Sequence, residues 1–459
     1  MYSNVFMITI DNIRADKFEK NSTCKIPNLN NLIKNGIIFR QAISGSDGTT
    51  IGLSNIFTGN YSVKSQTKTY DFNKNTITFF DELQKLGYHL IGCVPELHYL
   101  KHISSKFTES EIYSYVDRSS YKDLFNGLGD KIVQKLKTKK NHPWFFYMHL
   151  MDAKPPFTLP KEYDSQVYGD SITDRILSAI DSWIGKFLKE IDLENTLIVI
   201  SSDHGNFIPI DEKGINSMPN TVKNIMKSTK NSPIPESIKT KSYVQVRNVV
   251  RFFNKNKLKN LTGYEKRSFE TRTKTELFDE LIRIPLIFSG LGLHQNEIKQ
   301  QVRQIDIFPT IFEILGIKST LNFQGESLFP LIQGKTMQEK SAFIENSILL
   351  DDDQSENFFN EENLSKKQYG KFIGIRTSTH KYQRTRESEN GFVSLYDLRN
   401  DPKELKNIAN FSKNKLNEME EILLKILNDK TLENESEDNF LSEKEKKSVE
   451  DELKKLGYI

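Results

Sequence analysis

The sequence predicts an α/β protein whose mostly parallel sheet lies between helices, followed by a small C-terminal α+β subdomain. Short apolar runs alternate with segments whose apolar residues recur at helical spacing, the pattern of a sheet covered by helices. From about residue 341 the texture changes to short strand-like runs that suit a smaller antiparallel unit. The expected organisation is a large α/β domain over 1–340, with a basic helical insertion at about 207–272. A small antiparallel unit over 341–411 and charged C-terminal helices over 412–459 follow.

In chain order, "VFMITI", "YHLIGCV", "PWFFYMHL", "TLIVIS" and "RIPLIFSG" read as buried strands. "PNLNNLIKNG" reads as a helix with Pro27 at its start and Gly36 just past its end. "ITDRILSAIDSWIGKFLKEI" keeps a helical period and is expected to cover the sheet. "SAFIENSI", "KFIGIRTS" and "VSLYDLRN" are the strands expected in the small unit, with an acidic surface loop, "DDDQSENFFNEEN", between the first two. Two charged amphipathic helices close the chain, and Ser442 with Glu445 forms a capping box for the second.

The chain has 459 residues, enough for one large α/β domain and a smaller one. Its 64 Lys and Arg against 61 Asp and Glu leave a charge of +3, so no global field selects nucleic acid. No leader precedes the first strand, and no apolar run approaches the ~18–20 residues that span a bilayer. Cys24 and Cys93 have neither metal-type spacing nor a disulfide pattern. A soluble cytoplasmic protein is the expectation, and the oligomeric state is left open.

Chemistry concentrates at strand ends, where doubly wound sheets bind ligands. "ITIDNIRAD" puts Asp11 and Asn12 after the first strand, as oxygen ligands for a hard divalent cation or as a polar turn. "LIVISSDHG" ends another strand with Asp203 and His204, a carboxylate and an imidazole that suit a metal. "MHLMDAKPPF" carries His149 and Lys154; the histidine reads equally as a core residue. Lys274 precedes "RIPLIFSG". In "SGSDGTTIGLSNIFTG", Thr49 reads either as a helix N-cap or as a nucleophile held where a helix terminus binds anions.

These motifs, in this order, resemble those of the sulfatases of the alkaline-phosphatase superfamily. "ITIDNIRAD" and "SSDHG" resemble the two metal motifs, and "FTG" the end of the nucleophile motif. "IPNLNNLIKNGIIFRQAIS", "MHLMD", "ELFDELIRIPLIFSG", "QIDIFPTIFEILGI", "LYDLRNDPKELKNIA" and "LKKLGYI" resemble further family segments. The resemblance implies an alkaline-phosphatase-like fold and one divalent metal ion (Mg, Mn, Ca or Zn). Asp11, Asp203 and His204 then fall on ligand positions, with Asn12 a weaker one. Thr49, ten residues before Gly59, falls on the nucleophile position. Lys274, five residues before Asp279, falls where the family grips the substrate's charged group. Lys154 falls where the family has a histidine near the leaving group.

The departures decide the chemistry expected. Sulfatases oxidise Cys or Ser in a C/S-x-P-x-R run to formylglycine; here the run is Thr49-Thr50-Ile51-Gly52-Leu53, so no formylglycine is expected. A threonine sulfate cannot collapse to an aldehyde, whereas phosphorus accepts attack by water or an alcohol. No Asp-x-x-x-His pair is present for a second zinc. The expected activity is a metal-dependent hydrolase or transferase acting on a phosphate ester, a phosphodiester or phosphonate monoester, through a covalent threonine intermediate. Lys274 and Lys154 would hold its oxygens, and His149 or Lys154 would protonate the leaving group. The alternatives are a sulfate-ester hydrolase and an inactive binding or scaffold protein of the same fold. The expected partner is an anionic small-molecule, glycan-linked or lipid-linked phosphate or sulfate ester. Between residues 223 and 274, fourteen Lys or Arg face three Glu, which suits either a basic lid or a solvated helical pair.

Overall fold

The computed structural model describes residues 2–65, 67, 76–97, 100–114, 124–138, 143–154, 158–207, 262–267, 276–347, 372–386 and 391–428. Eight strands form the main sheet: β1 (Asn4–Ile10), β2 (Gly36–Ile43), β3 (His89–Pro95), β4 (Glu109–Tyr113), β5 (Trp144–Leu150), β6 (Thr196–Ser201), β7 (Arg283–Ser289) and β8 (Asn296–Arg303). Their order is β4-β3-β5-β1-β6-β7-β2-β8. β7 pairs antiparallel with both β6 and β2, and every other pairing is parallel. The carboxyl ends of β1, β2, β5 and β6 therefore share one edge with the amino end of β7.

Hydrophobic burial on both faces holds this sheet. Phe6, Phe145, Phe146 and Phe288 are fully buried within it. The Ile172–Leu188 helix packs its apolar face there through Ile176, Ile180, Ile184 and Phe187, none of which reaches solvent. Ser171 and Asp174 form its capping box. Its Asp181 carboxylate accepts the backbone N–H groups of Asn28 (3.1 Å) and Leu29 (2.7 Å), satisfying orphan donors of the Pro27–Lys34 helix. Asn35 is that helix's C-cap, and Gly36 stands just past it, as the sequence suggested. Gly36 opens β2, where an added Cβ would stand 2.3 Å from the Phe288 carbonyl oxygen.

The small sheet, β9 (Ala342–Glu345), β10 (Phe372–Arg376), β11 (His380–Thr385) and β12 (Val393–Asp397), is antiparallel throughout. The Lys413–Leu427 helix buries Met419 and Leu423 with Ile375, Tyr382 and Leu395 of this sheet. Glu345 N–H donates to Gly45 O at 2.9 Å, so the small sheet is tied to the loop that follows β2. Among the described residues no helix is long and apolar enough to cross a membrane. Most of the basic insertion, the acidic loop at 351–363 and the Ser442–Glu445 capping box lie outside the described residues.

Candidate active site and metal centre

Thr49 begins a ten-residue helix, Thr49–Thr58, at the shared sheet edge. Gly48, not Thr49, is the N-cap, and no side chain caps this helix. The N-cap reading of Thr49 is therefore replaced: its hydroxyl is turned to charged groups. Oγ1 lies 3.2 Å from Asp11 Oδ2, 3.3 Å from His204 Nε2 and 3.5 Å from Lys154 Nζ. The chain can come this close because residue 52 is glycine. A Cβ there would sit 2.3 Å from the Asp203 carbonyl oxygen. Gly52→Ala is expected to destabilise the fold by ~1–3 kcal/mol, as overpacking does, measured by denaturant unfolding. An unchanged midpoint would show that the helix has room to move.

Asp11 follows β1, and its N–H donates to Leu150 O at 2.9 Å, which extends the β1–β5 ladder one step. Asp203 and His204 follow β6. Ser202 Oγ stitches the two exits together, 2.7 Å from Ile10 O and 2.6 Å from His204 O, while accepting Ile13 N–H at 3.2 Å. Gln304 Nε2 donates to Asp203 O at 2.8 Å and Ser44 Oγ lies 2.7 Å from the same oxygen. Asn12 adopts φ 72°, a left-handed conformation that Asn tolerates. From there its backbone N–H reaches Asp203 Oδ1 at 3.3 Å.

Three buried donor atoms converge without hydrogen-bond partners: Asp11 Oδ1, Asp203 Oδ2 and His149 Nε2. One ligand atom from each of Asp11, His149 and Asp203 lies within 4.8 Å of the others. His204 flanks them, with Nε2 3.6 Å from Asp203 Oδ2 and 4.0 Å from Asp11 Oδ1. Its Nδ1 faces Gly205 O at 2.7 Å. A carbonyl only accepts, so Nδ1 carries the proton and the Nε2 lone pair faces the cluster. Orphaned carboxylate oxygens beside an imidazole lone pair, all buried, fit a divalent cation.

Lys154 Nζ stands 3.4 Å from Asp11 Oδ2. Burial opposes ionisation of Asp11. The Lys154 ammonium first, then His149 and His204, outweigh it and hold the carboxyl well below its ordinary range. The structure thus brings together Asp11, Asn12, Thr49, His149, Lys154, Asp203 and His204. His149, on β5, is fully buried and 3.6 Å from Asp11 Oδ2, which places it with the metal-type donors. Lys274 lies outside the described residues. The sequence reading missed the scaffold of Ser44, Gly52, Ser202 and Gln304. Gln304 opens the "QIDIFPT" segment, and only its polarity ahead of an apolar helix hinted at a buried partner.

A family model described as Sulfatase matches residues 3–317, and one described as N-sulphoglucosamine sulphohydrolase, C-terminal matches 265–433. The phosphonate monoester hydrolase of Agrobacterium radiobacter superposes with TM-score 0.64 at 16% identity, covering 92% of this chain and 95% of that one. A structure solved with D-glucosamine-2-N,6-O-disulfate gives 0.63 at 14% identity, covering 95% and 100%. The delta 4,5-hexuronate-2-O-sulfatase of Bacteroides thetaiotaomicron is 26% identical over 136 residues, 29% of this chain and 25% of that protein. The chain covers less than a third of the length of the curated relatives it matches. The fold is alkaline-phosphatase-like, a mostly parallel sheet with a small antiparallel sheet C-terminal to it. With the family model spanning residues 3–317, the chain belongs to the sulfatase family.

Proposed function

We propose that the protein cleaves or transfers a phosphate ester, a phosphodiester or phosphonate monoester, through a covalent intermediate on Thr49. The observation that carries this is the Thr49 hydroxyl in contact with Asp11, His204 and Lys154 where the family's modified residue would stand. In the first step the Thr49 Oγ1–phosphorus bond forms and the bond from phosphorus to the leaving oxygen breaks. Asp11 Oδ2, 3.2 Å from Oγ1, would take the hydroxyl proton. Lys154 would neutralise a non-bridging oxygen and supply the proton that the leaving oxygen takes. In the second step water or an acceptor alcohol displaces Thr49, giving hydrolysis or transfer.

Asp11, Asp203 and His204 would hold a divalent cation, with His149 beside them. When bound it supplies charge neutralisation and lowers the pKa of a hydroxyl it touches. Mixed carboxylate and imidazole donors suit Mn²⁺ or Zn²⁺ better than Ca²⁺, which prefers oxygen. The likeness to the hexuronate sulfatase and to the disulfate complex supports a second reading, a sulfate-ester hydrolase. Turnover of matched activated phosphodiester, phosphonate monoester and aryl sulfate substrates separates the two. Faster phosphoester cleavage is expected, and sulfate-only turnover would sink the proposal.

A related prediction concerns maturation. The peptide spanning residues 41–63 should keep unmodified Thr49 even after coexpression with a formylglycine-generating enzyme, as read by peptide mass spectrometry. An aldehyde mapped to that peptide would overturn the phospho-threonine chemistry.

A further inference from the structure

The helix that presents Thr49 has a loose entry. Its N-cap, Gly48, is extended at φ −135° and ψ 147°, and no side chain caps the helix. Glycine leaves the torsions just ahead of Thr49 easy to rotate. A larger residue is barred, because a Cβ on Gly48 would sit 2.3 Å from Ser347 Cβ. The entry is therefore held from outside the helix.

The hold comes from the residues that leave β9. Ser46 pairs with Glu345 in an isolated parallel bridge, and Glu345 N–H donates to Gly45 O at 2.9 Å. Asp47, 1% exposed, turns its carboxylate across this junction. Its Oδ1 accepts Ser347 N–H at 2.7 Å and the Ser347 hydroxyl at 3.1 Å. Asn346 Nδ2 donates to its Oδ2 at 3.4 Å. The Asn346 amide faces this way because its Oδ1 accepts Phe372 N–H at 3.0 Å. A carboxylate only accepts, so its two oxygens suit this set of donors, and its charge strengthens each bond.

The same strand grips the chain beyond the helix. Phe343 N–H donates to Tyr61 Oη at 3.1 Å, and the Ser62 hydroxyl donates to the Glu345 carboxylate. The other oxygen of Glu345 accepts Arg386 Nη2 at 2.8 Å. Thr49–Thr58 is thus braced before its first residue and after its last by one strand of the small sheet.

We propose that Asp47 is a positioning residue for the reaction at Thr49, through which the small sheet fixes where the Thr49 hydroxyl stands among Asp11, His204 and Lys154. This rests on Thr49 as the reacting group. A displacement of about 1 Å at a reacting atom can cost ~10²-fold in rate, so a brace two residues away is felt in kcat.

The test uses the full chain at saturating Mn²⁺, with whichever of the matched phosphodiester, phosphonate monoester and aryl sulfate it turns over fastest. Sulfate-only turnover would then refute the phosphoester reading and still test the brace. Asp47→Asn keeps the side-chain shape but sets an NH₂ group where a donor already points. It should lower kcat ~10–100-fold, with KM and the Mn²⁺ dissociation constant within about threefold of wild type. Ser347→Ala removes only the hydroxyl bond and should lower kcat about fivefold, which carries the test if Asp47→Asn fails to fold. Because Asp47 acts through the Thr49 hydroxyl, adding Asp47→Asn to Thr49→Ala should leave the residual rate unchanged. The proposal is overturned if folded Asp47→Asn, or Ser347→Ala in its place, keeps the wild-type kcat. It is equally overturned if KM or Mn²⁺ affinity shifts by the same factor as kcat, if Asp47→Asn slows Thr49→Ala as much as it slows wild type, or if no ester is turned over.

Discussion

Thr49→Ala is expected to lower kcat on an activated phosphodiester by ~10³-fold or more and to remove the covalent intermediate, the scale set by losing a nucleophile from a cooperating set. Thr49 Oγ1 has the carboxylate, the imidazole and the ammonium all around it. Thr50, in the same first turn, is the control. Its loss should cost only ~10-fold, about 1.4 kcal/mol of transition-state stabilisation, if it contributes one auxiliary hydrogen bond. Both variants are to be assayed at saturating metal, with intact mass of the quenched reaction. A wild-type rate in Thr49→Ala beside a dead Thr50→Ala would mean that the nucleophile has been misplaced by one residue.

Removing the cation should have the second large effect. Ligand atoms of Asp11 and Asp203 lie within 4.8 Å of each other in a site closed to solvent, with Lys154 as the counter-charge on Asp11. Like charges so placed repel, and a cation between them relieves the repulsion. Metal at 100 times its dissociation constant adds ~2.7 kcal/mol to stability, so chelation should lower Tm visibly. Asp203→Asn should weaken metal binding by ~100-fold or more, because outer-shell partners alone are worth 10–100-fold. Equilibrium dialysis with elemental analysis measures the binding. Unaltered affinity in Asp203→Asn, or a Tm indifferent to chelation, would remove the metal from this site.

The central strands were legible because β1, β3, β5, β6 and β7 are apolar runs buried on both faces. β4 and β8 were not. They are edge strands, and their charges, as in "ESEIY" and "NEIKQQVR", protect the edge and erase the apolar signal. β2 escaped too, because its register shifts between Phe39 and Ala42, around Arg40 and Gln41, and breaks the pattern. The reversal of β7 carries no mark in its own residues, since an apolar run reads alike in either direction. The candidate site residues were legible because carboxylates and imidazoles at the ends of apolar strands stand out from their surroundings. Their supports were not, because a serine or glutamine that holds a carbonyl looks like any surface residue.

That reversed strand has a consequence for descent. Because β7 starts at the edge where β6 stops, the chain leaves just past His204 and returns to the place it left. Gly205 N–H to Leu281 O at 2.8 Å and Asn206 N–H to Glu280 O at 2.9 Å close the gap. Among the described residues, no strand of the sheet comes from between those two bonds. Changes of chain length there that spare the buried Leu277 and Phe278 and the ion-paired Asp279 would leave the β6–β7 pairing in place. The reversed strand thus fixes where Asp203 and His204 stand without asking for any fixed length of chain between β6 and β7.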